Sequence, residues 1–360
     1  MQVIDADAHV EESVQTWQYL DPEFYPRRPL PVTLPPDTQW GPWNAVWLID
    51  QKVRQSAATP TSMELARKKA ISVASQELTD VSARLRDLDL FGIEKQVIYP
   101  SAWLACLAED VELEAALARS YNRFMAAQCN QSGGRLRYAA VLPVRRPEAA
   151  IEEIRNVRRM GGAVGIFVRG MEWDMPINHP SFFPIYEEIE RQDLVVAVHI
   201  GFGSPTINRM FEGLPRLPDE LPFIPPRGRL LVSALLIQYA FHGIVAAGLL
   251  EDFPRLRWVF LEAGSEWLSS AVKTAERSTR RRVRKHFDQG RIFASCEPDE
   301  DLPYLVKQLG EDWLVVASDL PHADDFRHDR PEEAFRRRGD LSGPLMEKIL
   351  RRNATRLYAL

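Results

Sequence analysis

Short runs of β-forming residues alternate with longer helical stretches along most of this 360-residue chain. Alternation of this kind predicts a parallel sheet whose strands are connected by helices. About eight strand candidates favour a closed (β/α)8 TIM barrel, although a doubly wound fold has the same rhythm. The strand candidates are residues 3–9, 97–99, 136–144, 163–168, 194–199, 258–261, 292–294 and 313–318, and the clearest helical stretches are 110–131, 147–160, 180–192 and 343–351.

Two proline-rich segments interrupt this alternation, at about residues 21–61 and 202–229. Their proline density excludes regular helix. We therefore expect one domain over residues 1–360, with insertions after the first and fifth strands. Long loops after barrel strands lie on the active-site face and shape substrate pockets. An equal alternative to a role in the substrate pocket is a small tryptophan-rich core around Trp40, Trp43 and Trp47, or an oligomer contact.

Composition excludes some classes of partner. The net charge of −5 argues against nucleic acid, and the basic run at 280–285 has the character of a solvated helix face. The cysteines Cys106, Cys129 and Cys296 fit no metal or disulfide spacing, which favours a reducing compartment. Without a signal peptide or an apolar run of roughly 20 residues, we expect a cytoplasmic protein.

Ionisable side chains stand at the ends of three predicted strands. Asp7 and His9 are two residues apart in the first strand, so the alternation of a strand puts both on one side. His199 ends the run at 194–199, and Asp319 follows the run at 313–318. Imidazole and carboxylate groups that converge from separate strands are what a divalent cation needs. The pattern predicts a metal site at the carboxyl ends of the barrel strands.

Four stretches, taken in order, resemble the decarboxylase-related branch of the amidohydrolases, typified by aminocarboxymuconate semialdehyde decarboxylase and γ-resorcylate decarboxylase. They are IDADAHVE at 4–11, VAVH at 196–199, GLLEDFPRL at 248–256 leading to FLEAG at 260–264, and ASDLPH at 317–322. The ending NATRLY at 353–358 also matches a common family terminus. Each motif alone is weak, but the ordered set spans nearly the whole chain and is specific.

The resemblance implies one divalent metal, Zn²⁺ or Mn²⁺, and no organic cofactor. The ligands would be Asp7, His9, His199 and Asp319. The family carries His-x-His or Glu-x-His on its first strand, and Asp7 departs from that pattern. A carboxylate oxygen moves the preference toward harder ions such as Mn²⁺. The structural alternatives to ligand roles are that the aspartates cap a helix or a strand end and that the histidines pack in the core.

The resemblance also implies groups that handle protons or substrate. Asp319 takes part in proton handling at the metal, and His242 lies where related decarboxylases have a general acid or base, a role that suits imidazole. Glu262 either orients a ligand or forms a salt bridge, and His322 supports its loop. Weaker candidates are Glu11 and Glu297 near strand ends, and Arg54, Arg169, Arg209 and Arg229 as clamps for a substrate carboxylate.

Three functional hypotheses follow. The preferred one is a metal-dependent, non-oxidative decarboxylase of a small hydroxylated aromatic or unsaturated carboxylic acid. The second is a metal-dependent hydrolase of an ester, lactone, amide or C–C bond, because one scaffold hosts many chemistries. The third is a non-catalytic binding protein, which only the departure at Asp7 supports. The expected partner is a small-molecule carboxylate, and the resemblance implies a homo-oligomer, either a dimer or a tetramer.

Overall fold

The computed structural model describes residues 2–33, 35, 45–55, 71–210, 227–322 and 330–360. Within these ranges eight parallel strands pair in chain order, each with the next along the sequence. They are β1 (Val3–Val10), β2 (Ile93–Pro100), β3 (Leu136–Ala140), β4 (Ala163–Arg169), β5 (Val195–His199), β6 (Arg257–Leu261), β7 (Ile292–Cys296) and β8 (Leu314–Val316). This order confirms the predicted (β/α)8 barrel over the doubly wound alternative.

The barrel closes where the chain leaving β8 meets β1. The backbone nitrogen of Asp319 donates to the carbonyl of Asp7 over 3.0 Å, and the nitrogen of His9 donates to the carbonyl of Leu320 over 2.7 Å. All eight residues of β1 are buried, as expected for a strand covered on both faces. Closure therefore brings the first and last predicted ligands to the same seam.

Helices cover the outside of the barrel. They are α1 (Val81–Phe91), α2 (Val111–Cys129), α3 (Pro147–Met160), α4 (Phe183–Arg191), α5 (Arg227–Ala247), α6 (Trp267–Thr279), α7 (Leu302–Leu309) and the C-terminal α8 (Asn353–Tyr358), with short helices at Val73–Gln76, Pro205–Arg209, Leu249–Asp252, Lys285–Asp288, Pro331–Arg336 and Gly343–Glu347. Asp80 caps α1 and Asp110 caps α2 through side-chain bonds to backbone N–H groups. None of the helices in the described ranges is both long and apolar enough to cross a bilayer.

Several predicted boundaries differ from the structure for local reasons. The run at 136–144 is a strand only to Ala140, because the Asn122 side chain takes the backbone nitrogen and carbonyl of Val141. The run at 313–318 is a strand only over Leu314–Val316, since the nitrogen of Ser318 donates to Asp5. The predicted terminal helix is interrupted by a π-helical turn at Lys348–Arg352.

The two proline-rich segments differ from each other. The first contains an antiparallel sheet of Leu30–Thr33, Ala45–Ile49 and Lys52–Gln55. Its buried Trp47 packs edge to face against Trp17, with ring centroids 6.4 Å apart, while Trp40 and Trp43 lie outside the described residues. In the second segment α5 already begins at Arg227, and residues 211–226 lie outside the described part.

Candidate metal centre

The four predicted ligands converge at the carboxyl ends of the barrel strands. Asp7 and His9 come from β1, His199 ends β5, and Asp319 lies just after β8. One ligand atom each from Asp7, His9 and His199 lies within 4.8 Å of the other two, and the same holds for His9, Asp319 and His322. All four predicted ligands are completely buried. Residues distant in sequence thus form one enclosed cluster.

The distances within the cluster suit a cation. His9 Nε2 lies between two carboxylates, 3.6 Å from Asp7 Oδ1 and 3.3 Å from Asp319 Oδ1. His199 Nε2 lies 3.3 Å from Asp7 Oδ2. Two imidazole nitrogens and two carboxylates form a donor set typical of Zn²⁺ or Mn²⁺. Buried carboxylates this close together are costly without a compensating positive charge, so the residues fit a divalent cation.

His199 presents Nε2 to the cluster. Its Nδ1 lies 2.9 Å from the carbonyl of Ile200, which can only accept, so Nδ1 carries the hydrogen. This bond fixes the ring and leaves Nε2 for coordination. Burial lowers the pKa of His199, but the charges of Asp7 and Glu262 outweigh it and raise the pKa to about 9. Binding of a cation at Nε2 would displace that proton.

His9 has the opposite electrostatic balance. Burial lowers its pKa well below the usual value, and the charge of His322 acts in the same direction. The imidazole of His322 stacks on that of His9, with centroids 4.1 Å apart and planes 25° apart. His9 is therefore held neutral, which is the form that coordinates a metal.

His322 contacts the centre more directly than the sequence indicated. Its Nδ1 lies 3.0 Å from Asp319 Oδ1, and its Nε2 lies 2.9 Å from Ser101 Oγ and 3.4 Å from Glu11 Oε1. Burial lowers the pKa of His322, yet Asp319 and Glu11 outweigh it and hold the pKa well above the usual value. A protonated His322 thus connects Asp319 to the less enclosed side of the site.

Two of the acidic groups lie in the left-handed backbone region. Asp319 has φ 54° and Glu262 has φ 63°, a conformation that is uncommon outside glycine and that clusters at functional sites. The turn after β6 directs Glu262 inward, where its Oε2 lies 3.4 Å from His199 Nε2. The nitrogen of Glu262 donates to Ser295 Oγ over 3.0 Å, which supports this turn. Glu262 is therefore a further carboxylate at the cluster.

Arg169 is at the end of β4, and its guanidinium is paired with the carboxylate of Glu172. Its Nε lies 3.1 Å from both carboxylate oxygens of Glu172, Nη2 donates to the same carboxylate, and Nη1 donates to the carbonyl of Trp103 over 3.2 Å. Arg169 and Glu172 are each 4% exposed in their side chains. Gly203 packs beside them, where a Cβ would lie 1.8 Å from the carbonyl oxygen of Met171. The arrangement is that of a buried structural ion pair.

The remaining candidates have other partners among the described contacts. His242 is on α5, partly buried, with its ring edge to face against Phe241; among the described contacts none joins it to the ligands, and its proton-transfer role stays a prediction. The exposed Arg209 donates to Thr206, and the nitrogen of Glu297 donates to Glu300 over 3.1 Å. The side chains of Arg54 and Arg229 lie outside the described part.

Asp5 and Ser101 were missed by the sequence reasoning. Asp5 accepts from Ser318 and from Gln96 Nε2, and it ties β1 to the segment that carries Asp319. Its position two residues before Asp7 on the same strand was the available signal. Ser101 follows β2 directly and contacts His322, but a serine at a strand end is too common to be diagnostic.

Comparison with known proteins agrees with this geometry. The model of the amidohydrolase family matches residues 105–360. γ-Resorcylate decarboxylase from Rhizobium sp. (strain MTP-10005) is 25% identical over 297 residues, which cover 77% of this chain and 86% of that protein. The amidohydrolase map2389c from Mycobacterium avium subsp. paratuberculosis K-10 superposes with a TM-score of 0.75 at 20% identity, covering 99% of each chain.

A further solved structure carries a metal. A 5-carboxyvanillate decarboxylase from Novosphingobium aromaticivorans, a mutant form with bound manganese and 3-methoxy-4-hydroxy-5-nitrobenzoic acid, has a TM-score of 0.61 and 16% identity. The match covers 83% of this chain and 92% of that one. At this identity the two structures establish the fold alone.

Proposed function

Because this chain belongs to the amidohydrolase family, we propose that it is a metal-dependent, non-oxidative decarboxylase of a small hydroxylated aromatic carboxylic acid. Membership in the family makes it an enzyme, either a decarboxylase or a hydrolase. The observation that carries the proposal is the buried convergence of two imidazoles and two carboxylates from β1, β5 and the end of β8. The relatives that are γ-resorcylate decarboxylases support the choice of reaction.

Asp7, His9, His199 and Asp319 would hold one divalent cation, with Glu262 as an additional carboxylate beside His199. The number of oxygen donors favours Mn²⁺ over Zn²⁺. When bound, the cation supplies Lewis-acid stabilisation of negative charge on the substrate oxygens and orients the ring. The manganese of the Novosphingobium neighbour supports this preference.

Asp319 is the proposed proton donor, with His322 as its partner. Asp319 delivers a proton to the ring carbon that bears the carboxylate, and the C–C bond then breaks as its electron pair returns to the ring. Carbon dioxide leaves, and the proton gained by the ring replaces the carboxylate lost, so no oxidant or reductant is needed. His322 holds a proton at Nδ1, 3.0 Å from Asp319 Oδ1, and returns it to Asp319 after each turnover.

Burial of the centre assists the same chemistry. The four ligands are completely buried, and the ring of Phe167, which is 4% exposed, lies 5.7 Å from the ring of His199. Exclusion of water strengthens the electrostatic interactions in the site and removes hydration from the carboxylate that is lost. An apolar wall of this kind also suits the face of an aromatic ring.

The test is the release of CO₂ from γ-resorcylate by the Mn²⁺-loaded protein, compared with a benzoate that lacks ortho hydroxyl groups. We expect turnover of the first and at least about a hundredfold lower turnover of the second, since loss of one well-placed catalytic interaction costs about this much. His199→Ala should be inactive and Arg282→Ala, an exposed control outside the set of site candidates, should be active. Incorporation of ¹⁸O from water into a cleaved ester or lactone, with no CO₂ from any acid, would overturn the proposal in favour of a hydrolase.

A further inference from the structure

The amino-terminal end of the barrel holds a cavity, opposite the candidate metal centre. Its volume is about 600 Å³, and its walls include Arg257 at the start of β6 and Arg291 just before β7. We call it the basal cavity and define it by Arg255, Arg257, Lys285, His286, Arg291 and Arg356. A volume of this size is in the range of small-molecule sites, which is about 300–1,000 Å³.

The walls of the basal cavity are strongly positive. Five lysine or arginine side chains and one histidine line it, against one carboxylate, that of Glu251. Two of the cations have acidic partners among residues outside the lining, because Arg255 contacts Glu190 at 3.4 Å and Arg257 contacts Asp193 at 2.7 Å. The other three retain an excess of positive charge, which concentrates anions in a cleft.

Arg291 supplies a buried positive charge that forms no ion pair with a carboxylate among the described residues. It is 7% exposed, and its guanidinium donates to the carbonyls of Leu250, Phe253 and Leu256 at 2.7, 2.6 and 3.3 Å. It also donates to His286 Nδ1 over 2.9 Å, so the hydrogen of a neutral His286 is on Nε2. These partners fix the guanidinium rigidly without neutralising it. A fixed cation in the wall is a feature of a preorganised anion site.

Arg356 and Lys285 provide the adjustable charges. The guanidinium of the exposed Arg356 lies over Gly290, where a Cβ would be 2.1 Å from Cζ of the arginine. Within the described part of the chain Arg356 makes no hydrogen bond or ion pair. Lys285 Nζ is 4.0 Å from Glu251, at the limit of an ion pair. Both donors can therefore turn toward a ligand without breaking a strong contact.

From these observations we propose that the basal cavity binds a small organic polyanion, a phosphate ester or a polycarboxylate. Planar guanidinium groups bind either anion through paired hydrogen bonds, and the lysine adds a point charge. The apolar part of the lining includes Leu250 and Pro254 and contains no Phe, Tyr or Trp side chain. The cavity thus does not match an aromatic acid, and its ligand differs in class from the proposed substrate.

Occupation of the basal cavity would also stabilise the C-terminal helix. Arg356 belongs to α8, whose Tyr358 hydroxyl lies 2.7 Å from the Tyr99 hydroxyl and donates to the carbonyl of Ala6 over 3.0 Å inside the barrel. A ligand held by Arg356 would add contacts between α8 and the turn at Gly290. We therefore expect the bound polyanion to raise the melting temperature.

The experiment is calorimetric titration of the full chain with fructose 1,6-bisphosphate and, separately, with citrate. We expect saturable binding of at least one of them at one site per chain. Tighter binding of fructose 1,6-bisphosphate identifies a phosphate ester as the class of ligand, and tighter binding of citrate identifies a polycarboxylate. Lys285→Ala combined with Arg356→Ala should weaken binding roughly a hundredfold or more, because two charged hydrogen bonds are lost and each is worth at least about tenfold in affinity.

Arg282→Ala is the matched control, since Arg282 is exposed in the same basic run but does not line the cavity. It should bind as the wild type does, and circular dichroism will establish that every variant is folded. Three results would overturn the proposal: no saturable heat with either anion, an equal loss of affinity in Arg282→Ala, or full binding by the Lys285→Ala/Arg356→Ala variant. Full binding by the double variant would place the anion outside the basal cavity, and in the case of citrate it would place it at the metal centre.

Discussion

Ser318 donates two hydrogen bonds to Asp5, from its backbone nitrogen over 2.9 Å and from its hydroxyl over 2.5 Å. This pair joins the first strand to the segment after the last one. Asp5 is two residues before Asp7, and Ser318 directly precedes Asp319. The spacing between Asp7 and Asp319, two candidate ligands from opposite ends of the chain, therefore depends in part on a contact that touches neither of them.

Ser318→Ala removes the hydroxyl bond to Asp5 and the acceptor of the Leu320 nitrogen, and it leaves the backbone bond to Asp5. We expect a loss of about 1–3 kcal/mol in the free energy of unfolding, since Asp5 is buried and loses one donor. Metal affinity should fall about 10–100-fold, as is typical when a hydrogen bond that orients a metal ligand is lost. Metal titration and urea denaturation measure the two effects. A stable variant with unchanged metal affinity would show that the Ser318 hydroxyl contact with Asp5 does not position the candidate ligands.

His322→Gln and His242→Gln separate the two candidate proton carriers. If His322 returns protons to Asp319, its loss should lower kcat about 100-fold or more and change the pH profile, with metal content retained. His242→Gln should change kcat little, because the described contacts place His242 against Phe241. A large loss of kcat in the second variant and a small one in the first would assign the proton transfer to His242 instead.

Arg169 and Glu172 form a buried pair whose partners depend on each other. Arg169→Met should destabilise the protein by about 3–5 kcal/mol, because it leaves the Glu172 carboxylate buried without a cation. Arg169→Met combined with Glu172→Leu should recover much of that loss. Chemical denaturation of the two variants measures the difference. If Arg169 binds substrate instead, the single variant will be stable and will show a raised KM.

Glu12 gives the stability of the fold a specific pH dependence. Burial raises its pKa to about 8, and the bond from the Ala102 nitrogen opposes this only in part. An acid with a raised pKa binds its proton more tightly in the folded state. Its contribution to the free energy of unfolding therefore falls as the pH rises from about 4.5 to about 8, by up to about 1.4 kcal/mol per pH unit.

Glu12→Gln should flatten that part of the dependence while keeping an acceptor for the Ala102 nitrogen. Denaturation midpoints between about pH 5 and pH 8 measure it. Identical slopes in the wild type and the variant would mean that Glu12 is ionised throughout this range.

The barrel and the positions of the four candidate ligands were predictable because each depends on a local pattern. Buried strands such as β5 are short apolar runs, and a polar residue directly after one stands at the end of the strand. Helix α3 is also local, with Pro147 in its first turn and Gly161 after its last residue, and its predicted bounds are confirmed. The family resemblance is confirmed by the match over residues 105–360.

What could not be predicted depends on tertiary contacts. The contact of His322 with Asp319 requires the left-handed turn at Asp319, and that turn is held by hydrogen bonds to β1 from the other end of the chain. Glu262 faces His199 for a similar reason, through a turn supported by Ser295. The buried pairing of Arg169 with Glu172 was not predictable, because nothing local in the sequence distinguishes it from an exposed arginine.

Elemental analysis of the purified wild type beside His199→Ala, both supplied with Mn²⁺ and Zn²⁺, is the most direct test of the metal centre. We expect close to one equivalent of metal per chain in the wild type and little in the variant, in which Asp7, His9 and Asp319 remain. The absence of metal from both proteins would contradict it, and would mean that the aspartate at position 7 leaves the buried cluster without a cation.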